Sequence, residues 1–308
     1  MGVTDERRPR KDLAMTPELP GIIFMHVPRT GGLTLRRFLT RRYGRAAFPH
    51  SDGDAHPIAL MGALPQPDRG GNERYLEALS ALPEERRAVV RVYIGHFTYG
   101  IHQQLPEPST YFTVLRDPID RTLSAYNWHR VGRWSESSLR EFLTHPLTVG
   151  DQQTRRIAGG EWARGSSDTN GMLEVAKQHL VDDFAVVGLK ERWEETLLVL
   201  ADTFGWPRPY YHTYNELPGR PVREGVPDDV VEILGELNRI DYELYRFATS
   251  RFDEQLRRDF PDVAGRLRRL RRGNVLWKRV DPHMQRMRRT RYVVRSTAAR
   301  TFHRVVGR

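Results

Sequence analysis

Between residues 21 and 43 the chain changes its hydrophobic period within a few residues. Gly21-Ile-Ile-Phe-Met-His-Val27 is an unbroken apolar run of strand length, read as a buried strand. Pro28 to Gly32 interrupts it, and Leu33 to Tyr43 resumes with Leu35, Phe38 and Leu39 at helical spacing. A buried strand, a tight glycine loop and a helix in immediate succession make the opening unit of an α/β architecture.

The rest of the chain repeats that alternation. Strands are predicted at Ala88–Gly95, Tyr111–Leu115 and Phe184–Leu189. Helices are predicted near 72–81, from Pro118 to about Arg130, at 191–204, 227–236 and 238–260. Residues 136–180 read as three short helices with glycine-rich breaks at 159–171, and 44–86 otherwise as loop. Along the helical segments 227–236 and 238–260, Leu237, Ile240, Leu244, Phe247 and Ala248 share one face. The fold class that follows is α/β, a P-loop-like three-layer fold with a central, mostly parallel sheet flanked by helices. In such sheets ligands bind outside the carboxyl ends of the strands.

His26-Val-Pro-Arg-Thr-Gly-Gly-Leu-Thr-Leu35 falls at such a strand end. Glycines let backbone N–H groups approach an anion, and the following helix adds its unsatisfied amides and dipole. Arg29 contributes a cation, and Thr30 and Thr34 contribute hydroxyls. The segment is neither Gly-x4-Gly-Lys-Ser/Thr nor Gly-x-Gly-x-x-Gly, so by itself it also fits an ordinary strand-to-helix turn.

A second segment, Tyr111-Phe-Thr-Val-Leu-Arg-Asp-Pro-Ile-Asp-Arg-Thr-Leu-Ser-Ala-Tyr126, puts Arg116 at a strand tip and Ser124 two turns into the next helix. Such a pair can grip one phosphate from two sides. A surface pairing of Arg116 with Asp117 or Asp120 fits the spacing too.

Together these segments resemble the PAPS-dependent sulfotransferases, in their carbohydrate branch with the heparan 2-O-sulfotransferases. That branch carries Pro-Lys-Thr-Gly-Gly-Thr-Ser after its first strand and later Leu-Arg-Asp-Pro-x-x-Arg-x-x-Ser-x-Tyr. Gly95-His96, Asp151-Gln-Gln-Thr-Arg-Arg156, Val187-Gly-Leu-Lys-Glu-Arg192 and Tyr214-Asn215 extend the likeness over residues 21–255. It implies a sulfuryl transfer from 3′-phosphoadenylyl sulfate (PAPS) to a hydroxyl of a carbohydrate or glycoconjugate, with 3′,5′-ADP leaving and no metal. Arg29, Thr30, Gly31, Gly32 and Thr34 are implied around the 5′-phosphosulfate, and Arg116 and Ser124 at the 3′-phosphate. Two positions depart from the pattern: Arg29 replaces the loop lysine, and Leu33 replaces the first hydroxyl after the glycines.

The proposed general base is His96, at a strand end and after a glycine, with the near-neutral affinity for protons that base work needs. His102 and His129 are weaker rivals, and His26 reads as a support beneath the loop. Arg155 and Arg156, with Arg130, Trp128, Trp134 and Trp162, are candidates for an anionic sugar acceptor, although the tryptophans also suit a core. A lipid, phenol or other small-molecule hydroxyl is the alternative acceptor. A nucleotide-dependent kinase and a non-enzymatic polyanion-binding protein are the rival functions.

Charge and composition bound the remainder. The net charge of +10 resides in the tail, since Pro261 to Arg308 holds 15 Lys or Arg against Asp262 and Asp281, leaving the preceding residues near −3. Two anion-cradling motifs on a body near −3 are more than a simple electrostatic binder needs, and nucleic acid is not the expected partner. The basic tail 261–308, expected to be a helical extension, suits an anionic membrane surface, a polyanion or a partner subunit. Cysteine is absent, and residues 1–20 carry charges without an apolar core, as a flexible leader does. The expectation is a sulfotransferase domain over 21–260 in a cytoplasmic protein, peripheral at the inner membrane surface through its tail.

Overall fold

A parallel five-stranded sheet organises the computed structural model, which describes residues 21–48, 71–106, 108–131, 138–145, 148–207, 209–211 and 225–280. The strands are β1 (Gly21–Met25), β2 (Ala47–Phe48), β3 (Val92–Gly95), β4 (Ser109–Leu115) and β5 (Phe184–Leu189). Their order is β2-β3-β1-β4-β5. All five residues of β1 are buried, and successive side chains of a strand face opposite ways, so both faces of the sheet are covered. The layered α/β expectation therefore holds.

Register sets the site. Met25 pairs with Gly95 of β3 on one side and with Thr113 of β4 on the other. The chain fills the β3 side of β1 first and then crosses to place β4 on the opposite side, so the reversal of strand order falls at β1. Because every pairing is parallel, the segments after β1, β3, β4 and β5 all emerge at one edge.

The helices largely follow the sequence pattern: Gly32–Tyr43, Gly71–Ser80, Pro118–Val131, Trp193–Thr203, Asp228–Leu237 and Arg239–Asp259. Ile240, Leu244 and Ala248 of the last are buried against the sheet core, as their spacing requires. A satellite cluster of Ile119, Leu123, Leu143, Val230 and Leu234 joins three helices beside it.

The structure differs from the sequence pattern in three places. The strand expected at Ala88–Gly95 begins only at Val92, because Glu84–Arg87 is a helical turn whose buried Arg86 donates to the carbonyls of Arg45 and Ala47. Strand β2 is two residues long and shows no period to detect. Residues 136–180 contain four described helices, Leu139–Thr144, Gln152–Ala158, Gly160–Ala163 and Met172–Asp182, where three were expected.

The basic tail begins as a helix, Val263–Val280, docked on Trp193–Thr203 through buried Leu270. Arg266 pairs with Asp202 at 2.7 Å and Arg271 with Glu194 at 2.6 Å. Asn274 accepts from the Tyr211 amide at 2.9 Å. The leader 1–20 and the segment 281–308 lie outside the described residues. Among the described residues no helix is long and apolar enough to cross a membrane.

Candidate active site

The loop after β1 is shaped by what lies beneath and beside it. Gly31 has φ +94°, a conformation that L side chains rarely adopt, and a Cβ there meets the Trp193 ring at 3.0 Å. Gly32 is constrained by contact instead: a Cβ on it lands 1.9 Å from Nε2 of His26. Arg29, although not glycine, also sits at positive φ, 74°. The Thr30 hydroxyl, fully buried, donates to the carbonyl of Val27 at 2.8 Å, so it closes the loop on itself. Its contribution is loop shape, where the sequence suggested an outward donor.

The helix Gly32–Tyr43 then starts with no side-chain cap and no acidic residue in its first turn. The positive dipole end of such an uncapped helix is suited to an anion. Thr34 is buried in that turn, and its amide donates to the carbonyl of Gly31 at 3.0 Å.

Arg116 leaves the tip of β4 and turns toward the loop, with Nη1 3.1 Å from the carbonyl of Arg29. Nε of Arg29 in turn donates to Oγ of Ser124 at 3.1 Å, and its guanidinium lies 5.0 Å from the centre of the Trp128 ring. The first segment's cation and the second segment's arginine and serine thus form one connected cluster. Trp128 is 45% exposed beside it, an aromatic face open to solvent.

His26 and His96 continue β1 and β3 by one residue beyond the Met25–Gly95 pair. Nδ1 of His26 and Nε2 of His96 lie 3.1 Å apart. Burial first, then the charges of Arg156, Arg29 and Arg36, push the His26 imidazole down to about 3, so it is neutral at physiological pH. His26 therefore underlies Gly32 and touches His96 at once. His102 bonds the Tyr111 hydroxyl at 2.8 Å, at the level of Ile23 and well below the strand tips. The side chains of His129 and Arg130, and Trp134 altogether, lie outside the described residues.

The profile of the Sulfotransferase family matches residues 11–164, half of the chain. This chain belongs to that family.

Heparan-sulfate 6-O-sulfotransferase 1 of Gallus gallus is 26% identical over 276 residues, which cover 74% of this chain and 64% of the chicken protein. Uronyl 2-sulfotransferase of Mus musculus is 27% identical over 186 residues, 46% of this chain and 42% of the mouse protein. This chain thus spans less than two thirds of either relative. A sulfotransferase structure from Alicyclobacillus acidocaldarius aligns with 79% of this chain and 98% of its own, at 18% identity and a TM-score of 0.40.

The Asp151–Arg156 stretch of this sulfotransferase-family chain is scaffolding for the site. Oε1 of Gln153 accepts from the Arg116 amide at 3.0 Å and Nε2 donates to the Arg116 carbonyl at 2.9 Å, fixing the β4 tip as a further strand would. Asp151 accepts from the amides of Ile240 and Asp241, each at 2.8 Å. Asp241 accepts from those of Gln153 at 3.2 Å and Thr154 at 2.7 Å. Each aspartate caps the helix that carries or follows the other. Buried Arg121, the second arginine of the Leu-Arg-Asp-Pro segment, lies among them and offsets their charge.

Arg155 and Arg156, expected to read an acceptor, both donate to backbone carbonyls. Arg155 donates to the carbonyls of Gly150, Trp162 and Ser166. Arg156 holds the carbonyls of His96 and Phe97, and so braces the turn that carries His96. Trp162 packs against the core. Sequence reasoning gave no role to Gln153, Trp193 or Lys190. The last two lie in or just beyond the Val187–Arg192 stretch, whose place at a strand tip was the available signal.

Proposed function

We propose that this protein transfers a sulfuryl group from PAPS to a hydroxyl of a carbohydrate acceptor, with His96 as general base. The observation that carries the reading is the convergence of an uncapped helix N-terminus, Arg29, Arg116 and Ser124 on one edge of the sheet, beside His96. Two anion-gripping segments that meet suit a single nucleotide bearing phosphates at two positions. The glycine loop, whose Cβ positions are filled by His26, Trp193 and Lys190, suits the phosphosulfate end. Arg116 and Ser124 suit the 3′-phosphate.

Sulfuryl transfer needs little covalent work from a protein, so positioning and charge stabilisation dominate. The acceptor oxygen attacks sulfur as its proton passes to His96. The bond from sulfur to the bridging oxygen breaks, and its electron pair leaves on the 5′-phosphate of 3′,5′-ADP. Nε2 of His96 faces Nδ1 of His26 at 3.1 Å, so on this reading Nδ1 is the nitrogen that takes the acceptor's proton. Arg156 keeps the base in place through the carbonyls of His96 and Phe97.

The relatives' acceptors, heparan sulfate and a uronyl residue by their names, support a sulfated or carboxylated sugar here. Trp128, exposed beside Arg29, offers a ring face on which a sugar can pack.

The test is mass-spectrometric detection of sulfate transfer from PAPS to a desulfated heparan polysaccharide. Wild type yields sulfated chains; His96→Ala loses at least about 100-fold in turnover while still binding 3′,5′-ADP. Full turnover by His96→Ala would remove the base assignment, and no transfer by the wild type would remove heparan as the acceptor.

A further inference from the structure

The chain has only four lysines, Lys11, Lys177, Lys190 and Lys278, and the phosphate loop holds Arg29 where the family resemblance expects one. The structure shows where Arg29 goes. Its guanidinium bonds Ser124 and lies over Trp128, on the side of the Pro118–Val131 helix. That is the end of the cluster where Arg116 also sits.

Lys190 occupies the other flank. It is the first residue beyond β5, and its amide donates to the Leu115 carbonyl at 2.8 Å, which lays it across the tip of β4. Its stem reaches the loop: a Cβ built on Gly31 lies 3.3 Å from Cδ of Lys190. The ammonium stands 4.7 Å from the centre of the Trp193 ring, and that ring closes on the same Gly31 position at 3.0 Å.

We infer that Lys190 supplies the cation at the phosphosulfate end of the donor, the task a loop lysine at position 29 has in the family pattern. The inference rests on the donor reading proposed above. As the bond from sulfur to the bridging oxygen breaks, the electron pair settles on the 5′-phosphate oxygen. An ammonium there offsets the growing charge and donates a hydrogen bond to it. Lysine presents three rotatable donors and can lend a proton; an arginine fork, always protonated, cannot. On this reading the loop cation turns to the 3′-phosphate side, and the tip of β5 provides a cation at the phosphosulfate end.

The experiment compares wild type, Lys190→Met and Lys190→Arg as full-length proteins, by calorimetry with 3′,5′-ADP and adenosine 3′-monophosphate and by turnover with PAPS. Lys190→Met is expected to lose about 10-fold in affinity for 3′,5′-ADP, little for the 3′-monophosphate, and about 100-fold in turnover. Lys190→Arg is expected to restore the affinity but not the turnover. A second readout needs no change at Lys190: 3′,5′-ADP alters the fluorescence of Trp193, identified by the signal missing in Trp193→Phe, and the 3′-monophosphate does not. Lys190→Met that binds 3′,5′-ADP and turns over as wild type does overturns the assignment alone. A wild type indifferent to 3′,5′-ADP overturns the donor reading, and Lys190 with it.

Discussion

His26 and His96 touch, Nδ1 to Nε2 at 3.1 Å, because β1 and β3 run parallel in a register that pairs Met25 with Gly95. One residue further along each strand the two imidazoles are neighbours. His26 also fills the space beneath Gly32, so the proposed base and the phosphate loop share one support.

That support is sensitive to acid. The His26 imidazole is pushed down to about 3 in the folded protein, whereas an unfolded histidine takes its proton near ~6.5. The unfolded chain thus binds more protons below ~6.5, and stability falls as the pH drops from there toward 3. Between pH 7 and pH 5 the loss from this one group is about 2 kcal/mol. Denaturant melts at both pH values check it: His26→Asn is expected to show a shallower decline than wild type, and an identical slope contradicts the burial argument.

The two loop glycines differ in what they forbid. Gly32→Ala drives a methyl into the His26 ring at 1.9 Å, a contact that requires movement of a buried side chain. Its expected cost is about 3 kcal/mol in stability, with loss of measurable 3′,5′-ADP binding. Gly31→Ala meets strain at φ +94° and a 3.0 Å contact with a half-buried ring, and about 1–2 kcal/mol is expected. Thermal melts and calorimetry on both variants give the ranking.

Gln153 bonds both backbone groups of Arg116, so its influence on a nucleotide is expected to pass through that arginine. In Gln153→Ala both backbone groups of Arg116 lose their buried partner, at a cost of about 1–3 kcal/mol. Affinity for 3′,5′-ADP is expected to fall about 10-fold, and Gln153→Glu, which keeps the acceptor but not the donor, to fall between.

Asp151 opposes His26 in its pH dependence. Burial, then the nearby Asp241, pushes its carboxyl up to about 6. The folded protein holds that proton below about 6 while the unfolded chain releases it above ~3.9, so this group removes stability as pH rises through that window. Asp151→Asn keeps an oxygen for the amides of Ile240 and Asp241. Relative to wild type it is expected to gain about 1 kcal/mol on going from pH 5 to pH 8, measured by paired melts.

The sheet was legible where apolar runs are long and unbroken. The runs at 21–27, 111–115 and 184–189 become β1, β4 and β5 with ends shifted by two residues at most, because a strand buried on both faces leaves a continuous signal. Strand β2 has two residues, and the first half of the run at 88–95 is held in a turn by Arg86, a tertiary effect no local pattern records. The loop and the Arg116–Ser124 spacing stood out because glycine and phosphate chemistry constrain neighbours in sequence. The tasks of Arg155 and Arg156 did not, since a charge in a sequence carries no sign of the carbonyls it will meet. Lys190 reaches Gly31 only after β4 and β5 have paired, across roughly 160 residues of chain.

The central claim is that the loop at Arg29–Thr34 and the pair Arg116–Ser124 hold one nucleotide phosphorylated at both ends of its ribose. Calorimetric titration of the wild type with 3′,5′-ADP and with 5′-ADP measures this directly. The account predicts at least about 10-fold tighter binding of 3′,5′-ADP, a preference that Arg116→Ala reduces toward unity. Equal affinity for the two nucleotides would contradict it.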